Sequence, residues 1–201
     1  MRKSITFSSL LIMLFTFATL SSAQIVQMGL GGGLTQVTTP KLYTDKVENT
    51  GYGFNDNFHF TILAKFNIPT SVVTPEAFLD YHILRGTGTY QDTAISTSLS
   101  ILSLGAEGEY YFLPLPNLKP YVLADLSYNS FSQLQLNIGS ESFVQLSHSN
   151  IGGALGLGTV LSVLPKIDFD LSVKYNIYNL TGRQSGDEIV RAVTINIIML
   201  F

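Results

Sequence analysis

The last nine residues, Val193-Thr194-Ile195-Asn196-Ile197-Ile198-Met199-Leu200-Phe201, put Val193, Ile195, Ile197, Met199 and Phe201 on one face of an extended chain. Thr194 and Asn196 fall on the other face. A helix would spread the apolar set round its axis, because its repeat is 3.6 residues rather than two. A strand with so continuous an apolar face wants an apolar medium on that side and a hydrogen-bonded neighbour at each edge. Hydrocarbon supplies the medium but no backbone partner, so such a strand is viable there only in a sheet closed on itself.

The other end of the chain agrees with an envelope destination. Arg2 and Lys3 precede a charge-free apolar run from Ile5 to Leu20, and Ser21-Ser22-Ala23 follow it. The run is short for a membrane span, which wants ~20 residues, and the small residues at 21 and 23 suit a signal-peptidase site. Residues 1–23 therefore read as a secretory signal peptide, with cleavage between Ala23 and Gln24, rather than as an N-terminal anchor. Residues 24–201 remain as one domain of 178 residues. The chain has no cysteine, which excludes disulfides, thiolate metal sites and a lipid-modified N-terminal cysteine. Nine basic and fourteen acidic residues after Ala23 leave a charge of −5, without the Lys/Arg clusters that nucleic acid requires. Nothing after residue 23 approaches 18 consecutive apolar residues, so no helical span is expected.

A period of two dominates the rest. From Ile167 to Tyr178 the alternation is unbroken: Ile167, Phe169, Leu171, Val173, Tyr175 and Ile177 on one face, Asp168, Asp170, Ser172, Lys174, Asn176 and Tyr178 on the other. Segment 57–68 repeats it, and 25–35, 76–85, 99–112, 120–128, 151–163 and 190–201 fit less cleanly. The total is eight strands of the length a tilted membrane strand needs. Segments 69–75, 113–119 and 164–166 are short and proline-rich. Segments 36–56, 86–98, 129–150 and 179–189 are longer and polar. Short turns on one rim and long loops on the other give an all-β, eight-stranded antiparallel transmembrane barrel, turns in the periplasm and loops outside. A soluble β-sandwich or lipocalin also alternates, with its apolar face inward. The apolar C-terminal strand and the loop asymmetry favour the membrane version.

Gly29-Leu30-Gly31-Gly32-Gly33, Leu104-Gly105-Ala106-Glu107-Gly108-Glu109-Tyr110-Tyr111-Phe112 and Lys119-Pro120-Tyr121-Val122 resemble three strands of the small bacterial outer-membrane β-barrel family, the OmpA/OmpX-like proteins. The terminal aromatic resembles the family's C-terminal signal. That resemblance implies a bacterial outer-membrane location in contact with lipid and lipopolysaccharide. It also implies an assembly element made of Ile195, Ile197, Met199 and Phe201, read by the outer-membrane assembly machinery. A family with structural, adhesive and uncharacterised members does not select one function.

In this frame Phe58, Phe60 and Tyr128 fall near the loop rim and Phe66, Tyr110, Phe112, Phe169 and Phe201 near the turn rim, as two aromatic girdles. The inward face carries Asp80, Glu107, Glu109, Asp125, Asp168 and Asp170 against Lys65 and Lys174, with His59 and His82. Six acids and two lysines cannot all pair. A hydrogen-bonded, largely filled interior suits eight strands better than a cation-selective pore, since such a barrel is just wide enough for its own side chains. Arg85 and Arg191 sit outward at the loop-side strand ends, where a guanidinium fork suits lipopolysaccharide phosphates. No catalytic set converges: His148-Ser149, in a segment read as an outer loop, has no spaced carboxylate partner. Three scattered histidines give no metal-ligand spacing, and no cofactor is implied. The leading expectation is a non-enzymatic, monomeric envelope barrel with a structural or surface-contact role. A narrow porin-like channel and an outer-leaflet lipid-modifying enzyme are the alternatives.

Overall fold

A computed structural model describes residues 26–46, 51–69, 71–90, 92–113, 115–139, 141–145, 147–164, 167–183 and 188–201. The expected leader, 1–23, lies outside these residues. The strands are β1 (Val26–Thr39), β2 (Phe54–Phe66), β3 (Val73–Tyr90), β4 (Thr93–Tyr111), β5 (Leu118–Phe131), β6 (Leu134–Ile138), β7 (Glu141–Gln145), β8 (His148–Leu164), β9 (Ile167–Thr181) and β10 (Arg191–Leu200). One helical turn, α1 (Lys41–Thr44), follows β1.

Eight strands run in the order β3-β2-β1-β10-β9-β8-β5-β4, every pair antiparallel, and β4 pairs back onto β3 to close the barrel. The N- and C-terminal strands meet over ten register pairs from Gly29–Leu200 to Thr39–Arg191. The Met28 and Phe201 backbones complete the seam with reciprocal N–H···O bonds of 3.0 and 2.9 Å. Glycine at 29, 31 and 33 lets this seam form. A Cβ at Gly33 would lie 1.7 Å from the Ile195 carbonyl oxygen, and one at Gly29 would strike the Leu63 and Leu200 side chains that fill the lumen there.

The stagger of the sheet follows from one row of paired residues. The row runs Val37, Ala192, Asn176, Ala154, Asp125, Glu107, Glu76, Lys65 and Gln27. It returns to β1 at residue 27, ten residues below its start at residue 37. A shear of ten over eight strands, at about 3.3 Å per residue and 4.8 Å between strands, gives a tilt of roughly 40°.

Two of the four segments read as long loops, 86–98 and 129–150, are largely strand. β3 and β4 run on to a tight turn near Asp92, and β6 and β7 form a hairpin whose first strand pairs with Ile95–Ser98 of β4. β1 and β9 extend to Thr39 and Thr181, and His148 begins β8 instead of lying in a loop. The reason is an inversion of polarity along the strands. In the lower barrel Leu30, Leu104, Leu126, Leu155 and Ile197 are exposed outward. Above Arg85 the outward residues become Thr87, Ser96, Ser98 and Ser100, and the inward ones become Val37, Phe54, Leu84, Leu99, Ile101 and Phe131, all buried. The outward face there meets water, so an apolar-outward pattern stops where the membrane stops, and the strands do not.

Candidate functional site: the lumen and its extracellular extension

Inward-pointing side chains fill the barrel in layers. At the extracellular end Val37, Phe54, Leu84, Leu99, Ile101, Phe131, Leu134, Tyr178, Val190 and Ala192 form one buried cluster, with Tyr43 and Tyr52 packed over it. Phe54 stands edge-on to Tyr43 at 5.3 Å between ring centroids, and His148 stacks on Phe131 at 4.5 Å. His148 thus caps an apolar plug and faces no lipid. Toward the periplasm Leu63, Phe78, Tyr121, Leu123, Val160, Ile198 and Leu200 make a second buried cluster.

The charged residues are threaded among these apolar groups. Lys65 Nζ lies 2.5 Å from Glu109 Oε1, 2.5 Å from Asp170 Oδ2 and 3.5 Å from Glu76 Oε2, and 5.3 Å from the centre of the Tyr121 ring. Tyr121 Oη donates to Asp170 Oδ1 at 2.5 Å, and Tyr111 Oη to Glu109 Oε2 at 2.6 Å. Every oxygen on Glu109 and Asp170 therefore has a donor, as burial of a charge demands. Lys174 binds Glu107 and sits 4.9 Å above the Phe78 ring. Asp168 lies at the periplasmic mouth, where Gln27 Nε2 donates to it at 3.2 Å. Asp80 makes no ion pair with either lysine.

Glu76 belongs to this network and escapes the sequence reading. It shares parity with Asp80 and His82 but follows Pro75 at the margin of its segment. Oxygens of Glu76, Glu107 and Glu109 lie within 4.8 Å of one another. Lys65 and Lys174 already bond all three carboxylates, so this group has cations of its own and needs no metal.

A directional hydrogen-bond belt crosses the lumen beneath the apolar plug. His59 Nε2 lies 2.5 Å from Asn196 Oδ1, an acceptor, so that ring nitrogen carries the proton. His59 Nδ1 then accepts from the Thr35 hydroxyl at 3.0 Å, and the same hydroxyl oxygen accepts from His82 Nδ1 at 3.0 Å. Tyr178 Oη stands 3.5 Å from His82 Nε2, and Asn196 Nδ2 donates to Ser172 Oγ at 2.8 Å. The belt ties β1, β2, β3, β9 and β10 together, and each of its members is buried. Among the described residues His59 bonds Thr35 and Asn196, and His82 bonds Thr35 and Tyr178, so both histidines serve this belt.

On the outer wall, Phe60, Tyr81, Tyr128 and Tyr175 are exposed toward the loop rim and Phe66, Tyr110 and Phe112 toward the turn rim, with aliphatic residues between. Arg85 lies above the upper girdle with its guanidinium 5.9 Å from the Phe58 ring centre. Arg191 lies on β10, separated from β3 by β2 and β1, so the two arginines do not share one site. The Nε of Arg191 is buried without a hydrogen-bond partner.

An apolar wall between two aromatic girdles, a closed antiparallel sheet and a polar interior together define a transmembrane β-barrel. The chain belongs to the outer membrane protein β-barrel domain family, whose model matches residues 7–197. It is accordingly a protein of the bacterial outer membrane. No curated protein sequence matches significantly. Among solved structures, Neisserial surface protein A (NspA) is similar with a TM-score of 0.59 at 19% identity, covering 87% of this chain and 95% of that one. Ail, the attachment invasion locus protein of Yersinia pestis, gives 0.49 at 13% identity, covering 88% and 97%. The N-terminal β-barrel domain of Pseudomonas aeruginosa OprF gives 0.46 at 12% identity, covering 89% and 98%. At these identities the likeness is one of fold.

Proposed function

We propose that the protein is a sealed, non-enzymatic, monomeric envelope barrel whose working part is the sheet it raises outside the membrane. The supporting observation is the inversion of polarity at Arg85. Above that level apolar side chains turn inward and plug the lumen, while β3, β4, β6 and β7 continue together as one sheet, a blade. A pore would need its inward face polar to both rims, and a lipid-modifying enzyme would need a nucleophile and base on the wall. The blade carries exposed Phe143 and Val144 on β7, the strand at its free edge. Edge strands of that kind are suited to contact another surface. Replacing residues 133–146 by a short turn tests this reading. Cells bearing the full chain should be retained on abiotic or cell-covered surfaces, and cells bearing equal amounts of the shortened chain should not. Equal retention of both and of cells without the protein would reject it.

Two finer assignments belong to the same proposal. Arg85 and Arg191 each meet a phosphate of lipopolysaccharide at the upper girdle, so an Arg85→Ala/Arg191→Ala variant should bind purified lipopolysaccharide less tightly. Unchanged binding would remove the assignment. Ile195, Ile197, Met199 and Phe201 form the element read during assembly. Deleting Phe201 removes only the last backbone pair of the seam, with Met28. The deletion should therefore lower assembly in cells far more than refolding into pure lipid. A comparable loss in both would show that Phe201 acts structurally alone.

A further inference from the structure

Six buried side-chain atoms in the described residues lack a hydrogen-bond partner, and four of them occupy one row of the sheet. Thr61 Oγ1 on β2, Asp80 Oδ1 on β3, Ser103 Oγ on β4 and Asn129 Oδ1 on β5 are consecutive register partners, all pointing into the lumen. The other two, Thr159 and Arg191, point outward. Thr61, Ser103 and Asn129 are 4%, 3% and 0% exposed, so bulk water does not reach them. Buried polar atoms are costly to leave unpaired, and four in a row point to a shared partner.

We propose that Asp80, with Thr61 and Ser103 on either side, binds a monovalent cation in the middle of the lumen. The donor set is oxygen only: a carboxylate, two hydroxyls and, one strand further, an amide carbonyl, which is the chemistry of hard cations. Directly paired inward residues hold their Cβ atoms about 5 Å apart, and an ion with metal–oxygen distances of about 2.4 Å spans such neighbours. The charge count selects the valence. Lys65 is held by Glu76, Glu109 and Asp170, and Lys174 by Glu107, so Asp80 is the one carboxylate of the row, with Asp125 near enough to feel it. The Lys174 ammonium is near enough to feel Asp80, and a donor set with a single carboxylate suits a monovalent ion better than a divalent one.

The test uses the full barrel refolded into dilauroyl phosphatidylcholine vesicles, with sodium chloride titrated against choline chloride at fixed ionic strength. Sodium should raise the melting midpoint by about 3–5 °C between about 1 and 100 mM, and 23Na relaxation should report the bound ion. Asp80→Asn keeps the shape and loses the charge, and it should melt at one temperature throughout. Ser103→Ala should weaken the response without abolishing it. A wild-type midpoint indifferent to sodium would overturn the proposal, because water then satisfies the row. An Asp80→Asn variant with the wild-type response would equally overturn it, by placing the sodium effect elsewhere.

Discussion

Replacing Lys65 with methionine should destabilise the refolded barrel by ~3–5 kcal/mol, the usual consequence of removing one partner from a buried ion cluster. Methionine matches the lysine stem in volume, so the loss isolates the ammonium. Glu109 and Asp170 would each keep one tyrosine donor and lose the cation, and Glu76 would lose its ion pair with Lys65. The companion variant adds Glu109→Gln and Asp170→Asn. It should recover most of the loss, because neutral amides need no counter-charge and still accept from Tyr111 and Tyr121. Urea midpoints in lipid vesicles measure both. A single variant as stable as the wild type would mean that the cluster is decoration.

Arginine at Leu171 should cost ~2–4 kcal/mol in vesicles, the range for a cation on the lipid face near mid-bilayer. Leu171 faces outward between Thr159 and Ile197. Its neighbour Ser172 faces inward, buried, where its hydroxyl accepts from Asn196. Ser172→Arg should therefore lose stability through crowding and a broken hydrogen-bond belt. Its cost should persist in detergent micelles, where much of the Leu171→Arg penalty disappears. Equal and solvent-independent losses at the two positions would contradict the assignment of faces.

The lower barrel was legible because one rule governs it. Ile167 to Tyr178 alternates without a fault, and its lipid and lumen faces stand in the structure as the pattern places them. The glycines at 29, 31 and 33 could be set on the lumen face by parity alone, although the close carbonyl approach at Gly33 could not be foreseen. The upper barrel was less legible, since the medium outside the strands changes there. Residues 93–101 alternate as regularly as any, with Ile95, Thr97, Leu99 and Ile101 on the buried face, but the apolar face now points inward. Read against an apolar-outward template, such a segment passes for a polar loop. The same inversion hid the apolar plug: Val37, Phe54, Phe131 and Leu134 fall in segments read as loops, and Leu84, Leu99, Ile101 and Tyr178 at the loop-side ends of segments read as strands.

Contacts between strands distant in sequence were beyond the pattern altogether. Parity puts Lys65, Glu109 and Asp170 in one lumen, and only the ten-residue shear brings them to one level. The row from Thr61 to Asn129 likewise depends on register across four strands. Glu76 shows the cost of a boundary: one residue past Pro75, it shared the parity of Asp80 without being counted among the inward acids.

Single-channel recording decides whether the lumen is shut. Purified protein inserted into planar bilayers in about 1 M KCl, where surface charge is screened within about 3 Å, should leave the membrane at baseline conductance, because an apolar plug dewets the extracellular half of the lumen. Steady, stepwise, cation-selective currents from the full-length barrel would contradict a shut lumen.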